Sequence, residues 1–225
     1  MYKELKIAID GPAAAGKSTI AKMTAEKLGY TYIDTGAMYR ALTHKALVQN
    51  IDTNDGDKLT ALLRDTAIVL LPSAKGQKVI VDDVDVSEEI RSQQVTAHVS
   101  AVAVHSGVRA LMVEKQQQLA EGTGVVMDGR DIGTAVLPNA ELKIFMTASV
   151  EERAMRRYLE NEKRGMATPL EQLAAEISER DRADSERVVS PLKQAEDAIV
   201  IDTTSMTIEE VAREISKLAE ERAHI

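Results

Sequence analysis

Cysteine and tryptophan are both absent from the 225 residues, and phenylalanine occurs once. Without cysteine there is no disulfide framework, no thiolate metal site and no cysteine nucleophile. A reducing compartment suits such a chain. Aromatics make up only 3% of the residues, too few for a platform on which single-stranded bases stack. Positive charge is short as well: 28 Lys and Arg stand against 36 Asp and Glu, a formal −8. A surface so acidic does not grip a DNA or RNA backbone over a broad area. No apolar run approaches the roughly 18 residues of a membrane span. The opening MYKELKIAIDG is too charged, and its apolar run too short, for a secretory signal. These absences leave a soluble, cytoplasmic, acidic protein with neither nucleic acid nor membrane as a partner. The short apolar patches mark no dimer seam, so a monomer is expected. The length fits one domain with a modest insertion and suffices to bury a core.

What is present alternates strand and helix. Lys6–Asp10 is a short apolar run ending in a turn, and Lys17–Leu28 reads as a helix closed by Gly29. Tyr30–Thr35 is β-rich and Gly36–Asn50 helical, while Val125–Asp128, Leu142–Thr147 and Ala198–Asp202 are further short apolar runs. Continuous apolar runs suit parallel strands covered on both faces. Ser149 with Glu152, Thr168 with Pro169 and Glu171, and Thr207 with Glu210 have the capping-box arrangement. The fold class is α/β, with a parallel sheet of about five strands flanked by helices. Thr66–Leu71, Lys78–Asp82 and Val84–Val86 break the alternation: they are β-like runs separated only by turns, and so must pair antiparallel. About residues 62–104 therefore form a small inserted β subdomain.

The strongest chemical signal is Gly11, Pro12, Ala13, Ala14, Ala15, Gly16, Lys17, Ser18 and Thr19, a G-x-x-x-x-G-K-[ST] match between a strand and a helix. The glycines let backbone N–H groups curl inward onto phosphate oxygens. Lys17 adds a point charge, and Ser18 offers a hydroxyl to Mg²⁺. The helix that follows turns its positive end to the same anion. A nucleotide is therefore bound, although the motif does not name the reaction. No guanine-reading Asn-Lys-x-Asp occurs. Arg130, Arg153, Arg156, Arg157, Arg164, Arg180, Arg182 and Arg187 gather in the C-terminal half. A solvated helix surface balanced by Glu151, Glu152, Glu160 and Glu162 would explain some of them. In a P-loop chain, clamping of phosphate by guanidinium forks explains the set better.

With Asp34-Thr-Gly-Ala-Met-Tyr-Arg40, Asp128-Gly-Arg-Asp-Ile-Gly-Thr134 and Arg180-Asp-Arg-Ala-Asp-Ser-Glu-Arg187 beside the P-loop, the chain resembles the bacterial cytidylate (CMP) kinase family. The resemblance runs from Lys6 to the last helix and includes the β-rich insert. It implies phosphorylation of CMP and dCMP by ATP, with Mg²⁺, on a fold with a core, a helical lid and an enlarged monophosphate-binding part. The implied bounds are a core of about 1–61, 105–148 and 185–225, an insert of about 62–104, and a lid of about 149–184. It further implies that Thr35, Tyr39, Arg40 and Arg130 line the acceptor, with Arg187 approaching from the lid side. Ser100, Arg109 and Asp131 would contact cytosine, and Arg180 and Asp184 the ribose. Lys17, Arg130, Arg156 and Arg187 would stabilise the transferring phosphoryl group. Gly11 to Thr19 and Arg157 would hold ATP, and Ser18 and Asp128 the metal. Position 35 is often Ser in relatives, and Thr35 keeps the hydroxyl.

Plainer readings stand beside these. Ser100 alone reads as a helix-surface serine, and Asp131 as a partner of Arg130 or a cap of the turn before Gly133. His44, His98, His105 and His224 have no ligand spacing and read as structural. Met23, Met38 and Met127 read as core filler. Two other functions also remain open. A kinase for a small hydroxyl metabolite would use Asp34 as its base, and a nucleotide-switched regulatory module would bind ATP without transferring its phosphate. A monophosphate acceptor needs no base, because its second phosphate pKa lies near 6. Gly165 reads as a hinge for the lid.

Overall fold

The computed structural model describes residues 4–73, 76–163 and 165–223. β1 (Lys6–Asp10) runs through the P-loop into α1 (Lys17–Leu28), and β2 (Thr31–Asp34) runs directly into α2 (Thr35–Val48), with α3 (Gly56–Arg64) after it. Next come β3 (Ile68–Ser73), β4 (Gly76–Val81) and β5 (Val84–Asp85), then a 3₁₀ turn at Glu89–Arg91, α4 (Gln93–Ala103) and α5 (Ser106–Leu119). β6 (Val125–Gly129) leads through a π-helical turn at Ile132–Val136 to β7 (Leu142–Thr147), α6 (Val150–Lys163) and α7 (Leu170–Glu186). β8 (Ile199–Asp202) and α8 (Ile208–Ala223) follow.

β1 and β6–β8 build, with β2, a five-stranded sheet in the order β2-β6-β1-β7-β8, with every pairing parallel. Its side chains divide by the period-two rule. Ile7 and Ile9 pack with Val126, Ile144 and Met146 under α1 and α8, whereas Ala8, Ile33 and Met127 meet Ile132 and Val136 on the other face. Each such side chain removed from water contributes about 1.5–3 kcal/mol. Met38 and Met127 are buried and Met23 is half-buried. The register sets Asp34 beside Asp128, and Asp10 beside Gly129, at the carboxyl edge of the sheet. That edge is where open α/β sheets bind ligands.

β3, β4 and β5 form a separate antiparallel sheet. Val79 and Val81 face Ala37 and Ala41 of α2, while Val69 and Leu71 point outward and are exposed. The first strand begins at Ile68 rather than Thr66, because the Thr66 hydroxyl donates to Leu62 O and ends α3. Leu62–Arg64 are accordingly helical, and Leu62 and Leu63 pack against Met38 and Met112. Likewise Tyr30 closes α1 through Ala25 O, and Thr35 starts α2 instead of ending β2.

α6 and α7, the segment expected to act as the lid, pack against each other, with Ala154, Leu173 and Ile177 as a small core of their own. Two of the three expected caps form: Glu152 N–H donates to Ser149 Oγ (3.1 Å), and Thr207 and Glu210 bond reciprocally (2.8 and 3.2 Å). The third does not. Pro169 occupies the cap position with no side-chain bond, and Thr168 Oγ1 lies 3.4 Å from Asn161 Nδ2 instead. α6 ends on Gly165, whose φ of +71° is a conformation that side-chain-bearing residues avoid. His98 and His105 bond to the carbonyls of Gln94 and Thr53. His224 and Arg164 lie outside the described residues.

Candidate active site

The P-loop needs its first glycine for two reasons. Gly11 has φ +151°, and a Cβ there would fall 2.2 Å from the Met146 carbonyl oxygen. The loop therefore presses backbone to backbone on the end of β7, and any side chain would push it away. Lys17 follows at the start of α1, is buried, and folds back so that Nζ donates to Pro12 O at 2.6 Å. Burial, reinforced by the charge of Arg130, holds its ammonium well below the ordinary lysine range. A doubly charged phosphate arriving here would gain a desolvated cation whose present partner is only a carbonyl.

Beside it stands a carboxylate. Ser18 Oγ donates to Asp128 Oδ2 at 2.8 Å, and Tyr32 Oη donates to Asp128 Oδ1 at 2.9 Å. The Thr35 hydroxyl donates to the Asp128 carbonyl at 2.6 Å, so its proton is engaged while it lines the cleft. Burial, aided by the charge of Asp34, pushes the Asp128 carboxyl up to about 6. Asp34 is fully engaged: Oδ1 caps α2 through Ala37 N–H (2.8 Å) and Oδ2 accepts from Arg40 (2.9 Å). A carboxylate so committed is a poor general base, which counts against a small hydroxyl metabolite as acceptor.

Asp10 is the acid that sequence reasoning missed. Its two oxygens accept from Ile132 N (2.8 Å) and Gly133 N (2.7 Å), holding the π-helical turn against the sheet, and burial pushes it up to about 6. Unfolded, it titrates near 3.8. Between these values the folded chain keeps a proton that the unfolded chain has lost. Its contribution to stability therefore falls by about 3 kcal/mol as pH rises from about 4 to 6 and is flat above that. In urea melts, the stability of the wild type relative to Asp10→Asn is thus expected to be greatest at pH 4.5 and to decline by pH 7. A difference independent of pH would contradict this titration.

Arginines close the rest of the site. Asp184 Oδ2 accepts from Arg130 Nε (2.8 Å), and Arg187 lies 3.6 Å from Asp184 Oδ1 and 3.5 Å from Asp131 Oδ1. Burial pushes the Asp184 carboxyl up, but the charges of Arg130 and Arg180 outweigh it and the net shift is downward. Arg109, 2% exposed, donates to Asp131 Oδ2 and sits 5.6 Å from the centre of the Tyr39 ring. Asp131 thus pairs with Arg109 and Arg187, not with Arg130, and makes no side-chain cap. Burial, then the neighbouring charge of Arg130, lowers Arg180 to about 10. The buried Nε atoms of Arg40, Arg109 and Arg180 have no hydrogen-bond partner. All three side chains line one cavity and bring positive charge to it.

Lys17, Ser18, Asp34, Thr35, Asp128 and the arginine cluster with Asp131 and Asp184 line one cleft of about 910 Å³, together with Ser100 from α4 and Arg157 from α6. The other clustered arginines have protein partners of their own. Arg156 donates to Thr203 O (2.6 Å) and Oγ1 (3.1 Å) and pairs with Glu152, so its fork ties α6 to the loop after β8 while the residue lines the same cleft. Arg153 is buried among P-loop and lid atoms. Arg182 is exposed and paired with Glu179 and Glu186. Lys22, Arg91 and Met206 join the lining without any motif to announce them.

A family model described as cytidylate kinase matches residues 7–221. The chain belongs to the cytidylate kinase family. Among its relatives, the cytidylate kinase of Bacillus subtilis (strain 168) is 59% identical over 223 residues, covering 99% of this chain and 100% of that one. That of Lysinibacillus sphaericus (strain C3-41) is 60% identical over 222 residues, 99% of each chain. The cytidylate kinase of Ligilactobacillus salivarius (strain UCC118) is 54% identical over the full length of both. In fold, the chain is also similar to a gluconokinase from Sinorhizobium meliloti 1021, with a TM-score of 0.50 and 15% identity over 100% of this chain and 96% of that one. The four motifs that carry the family resemblance all lie within the matched span and all reach the cleft.

Proposed function

We propose that the chain transfers the terminal phosphoryl group of ATP to CMP, forming ADP and CDP, and that it takes dCMP as well. The observation that carries this is the cluster of Arg40, Arg130, Arg180 and Arg187 in the same cleft as Lys17 and the P-loop: one cleft offers two anion cradles. The P-loop amides and Lys17 hold the donor, and Arg40, Arg130 and Arg187 the acceptor phosphate. An oxygen of that phosphate attacks the terminal phosphorus of ATP while the bond to the ADP oxygen breaks. No base is required, and what the protein supplies is position and positive charge. Arg157 reaches the donor phosphates from the lid. Asp184 positions Arg130 and Arg187 and, with Arg180, faces the ribose.

The residues present fit a magnesium ion. Ser18 Oγ and Asp128 are hard oxygen donors side by side. No group of three acidic, His or Cys residues is placed to cage a metal among the described residues. Mg²⁺ commonly takes few protein ligands and completes its shell with water and substrate phosphate. Bound there, it would neutralise charge on the donor phosphates; Ser18 would touch it and Asp128 would hold its shell.

The inserted sheet with α4 forms the acceptor side, which Ser100 enters from α4. Hydrogen exchange is therefore expected to slow around Ser100 on adding CMP and not on adding ATP alone. Equal protection by ATP would place the segment with the donor. The function itself is tested by following ADP release from ATP–Mg²⁺ with CMP, dCMP, UMP, AMP, GMP or shikimate. CMP and dCMP are expected to turn over fastest, and a preference for AMP or shikimate would defeat the reading.

A further inference from the structure

A closed ring of hydrogen bonds joins α6 and α7 to one residue of the P-loop. The Ala13 N–H donates to Asp181 Oδ1 on α7 at 3.1 Å. Arg153 Nη1 on α6 donates to Ala13 O at 3.0 Å and to Asp181 Oδ2, which completes the circuit. Arg153 Nε is fixed in turn by Ala148 O, at 2.9 Å, just past the end of β7. The guanidinium is almost fully buried, and the pair spans 28 residues of sequence. The P-loop's Ala14 meanwhile packs against the small core that α6 and α7 share. Asp181 has no role in the reading given above, and Arg153 entered it only as one of the clustered arginines.

We infer that Arg153 and Asp181 are positioning residues, a clasp that registers the lid against the donor-phosphate loop. The clasp fixes both polar groups of residue 13, next to Ala14, whose φ of +57° is strained for an alanine. It also sits where α6 and α7 meet the loop. Arg156 and Arg157 lie about one helical turn beyond Arg153, and Arg180 is the neighbour of Asp181. When the lid moves, the clasp is the fixed point from which these arginines are measured. Charge-assisted bonds of this kind are short, directional and strong. The inference rests on the phosphoryl-transfer reading of the cleft.

The test uses the full chain with Asp181→Asn and Arg153→Lys. The first keeps an oxygen for the Ala13 N–H but loses the charge. The second keeps the charge but cannot reach Ala13, Asp181 and Ala148 together. For both we expect kcat/KM for ATP to fall about tenfold or more, because small displacements at a reacting centre are costly. The Kd of CMP in the absence of ATP should be unchanged, and ATP hydrolysis relative to transfer should rise as the lid seals less well. The double variant should be no worse than the worse single one, since both act through one ring. Equal losses toward ATP and CMP with a lowered Tm would reduce the pair to fold support. Tighter ATP binding by Asp181→Asn would mean that the carboxylate competes with phosphate, and would overturn the inference. Should Asp181→Asn not fold, Arg153→Lys carries the same measurements. Kd values for ATP judge the clasp even if the wild type fails to phosphorylate CMP, an outcome that would sink the transfer reading alone.

Discussion

Lys17→Ala is expected to lower kcat by about a hundredfold to a thousandfold, the scale set by removing one charge-stabilising group from a transition state. Lys17 is the buried lysine of the P-loop; its ammonium donates to the Pro12 carbonyl and feels the charges of Asp128, Asp10 and Asp184. A nucleotide phosphate would add a charge at hydrogen-bond distance. CMP binding measured without ATP should change far less, because the arginines proposed for the acceptor lie elsewhere in the cleft: Arg40 on α2, Arg130 just past β6 and Arg187 just past α7. Calorimetry with CMP and steady-state kinetics with ATP separate the two effects. Near-normal turnover in the variant would remove the P-loop from the chemistry.

Asp131→Asn is expected to shift the choice of base. Cytosine offers an N4 amino donor and an N3 acceptor where uracil offers an O4 acceptor and an N3 donor. The Asp131 carboxylate only accepts, while the Arg109 guanidinium only donates, and the two are locked together at 2.5 Å. Cytosine meets both characters; uracil leaves a buried acceptor facing an acceptor. The mismatch costs about 1–3 kcal/mol, or roughly tenfold to a hundredfold in selectivity. The carboxamide of Asn can donate to O4, so the CMP-to-UMP ratio of kcat/KM should narrow by that order. Asp131→Ala should narrow it as well. It would also leave Arg109, 2% exposed, without its carboxylate, and destabilise the fold by about 3–5 kcal/mol. Proportional loss for both bases would make Asp131 a scaffold residue.

Legibility in the sequence followed locality. β7 and α1 match their expected limits because each rests on local signals: an apolar run in one, the P-loop and a closing glycine in the other. The antiparallel hairpin was readable because its strands are too close in sequence to pair otherwise. The Thr168 cap failed because a proline, whose side chain has neither donor nor acceptor, took the position. The hydrogen-bond partner of Arg156 was out of reach for a similar reason. Helical spacing puts it on the lid face, but whether its fork meets phosphate or Thr203 depends on a loop 47 residues away. Asp10 and the Arg153–Asp181 pair were invisible on the same principle: their partners lie 122 and 28 residues distant, respectively. A charged residue ending a strand buried on both sides was the one available hint for Asp10.

The most direct measurement follows the label from ATP carrying ³²P in its terminal phosphate, incubated with the protein, Mg²⁺ and CMP. The account predicts that label enters CDP in step with ADP formation and that little appears as inorganic phosphate while CMP is present. Label released chiefly as inorganic phosphate, with no CDP formed, would contradict it and leave a nucleotide-hydrolysing P-loop protein in its place.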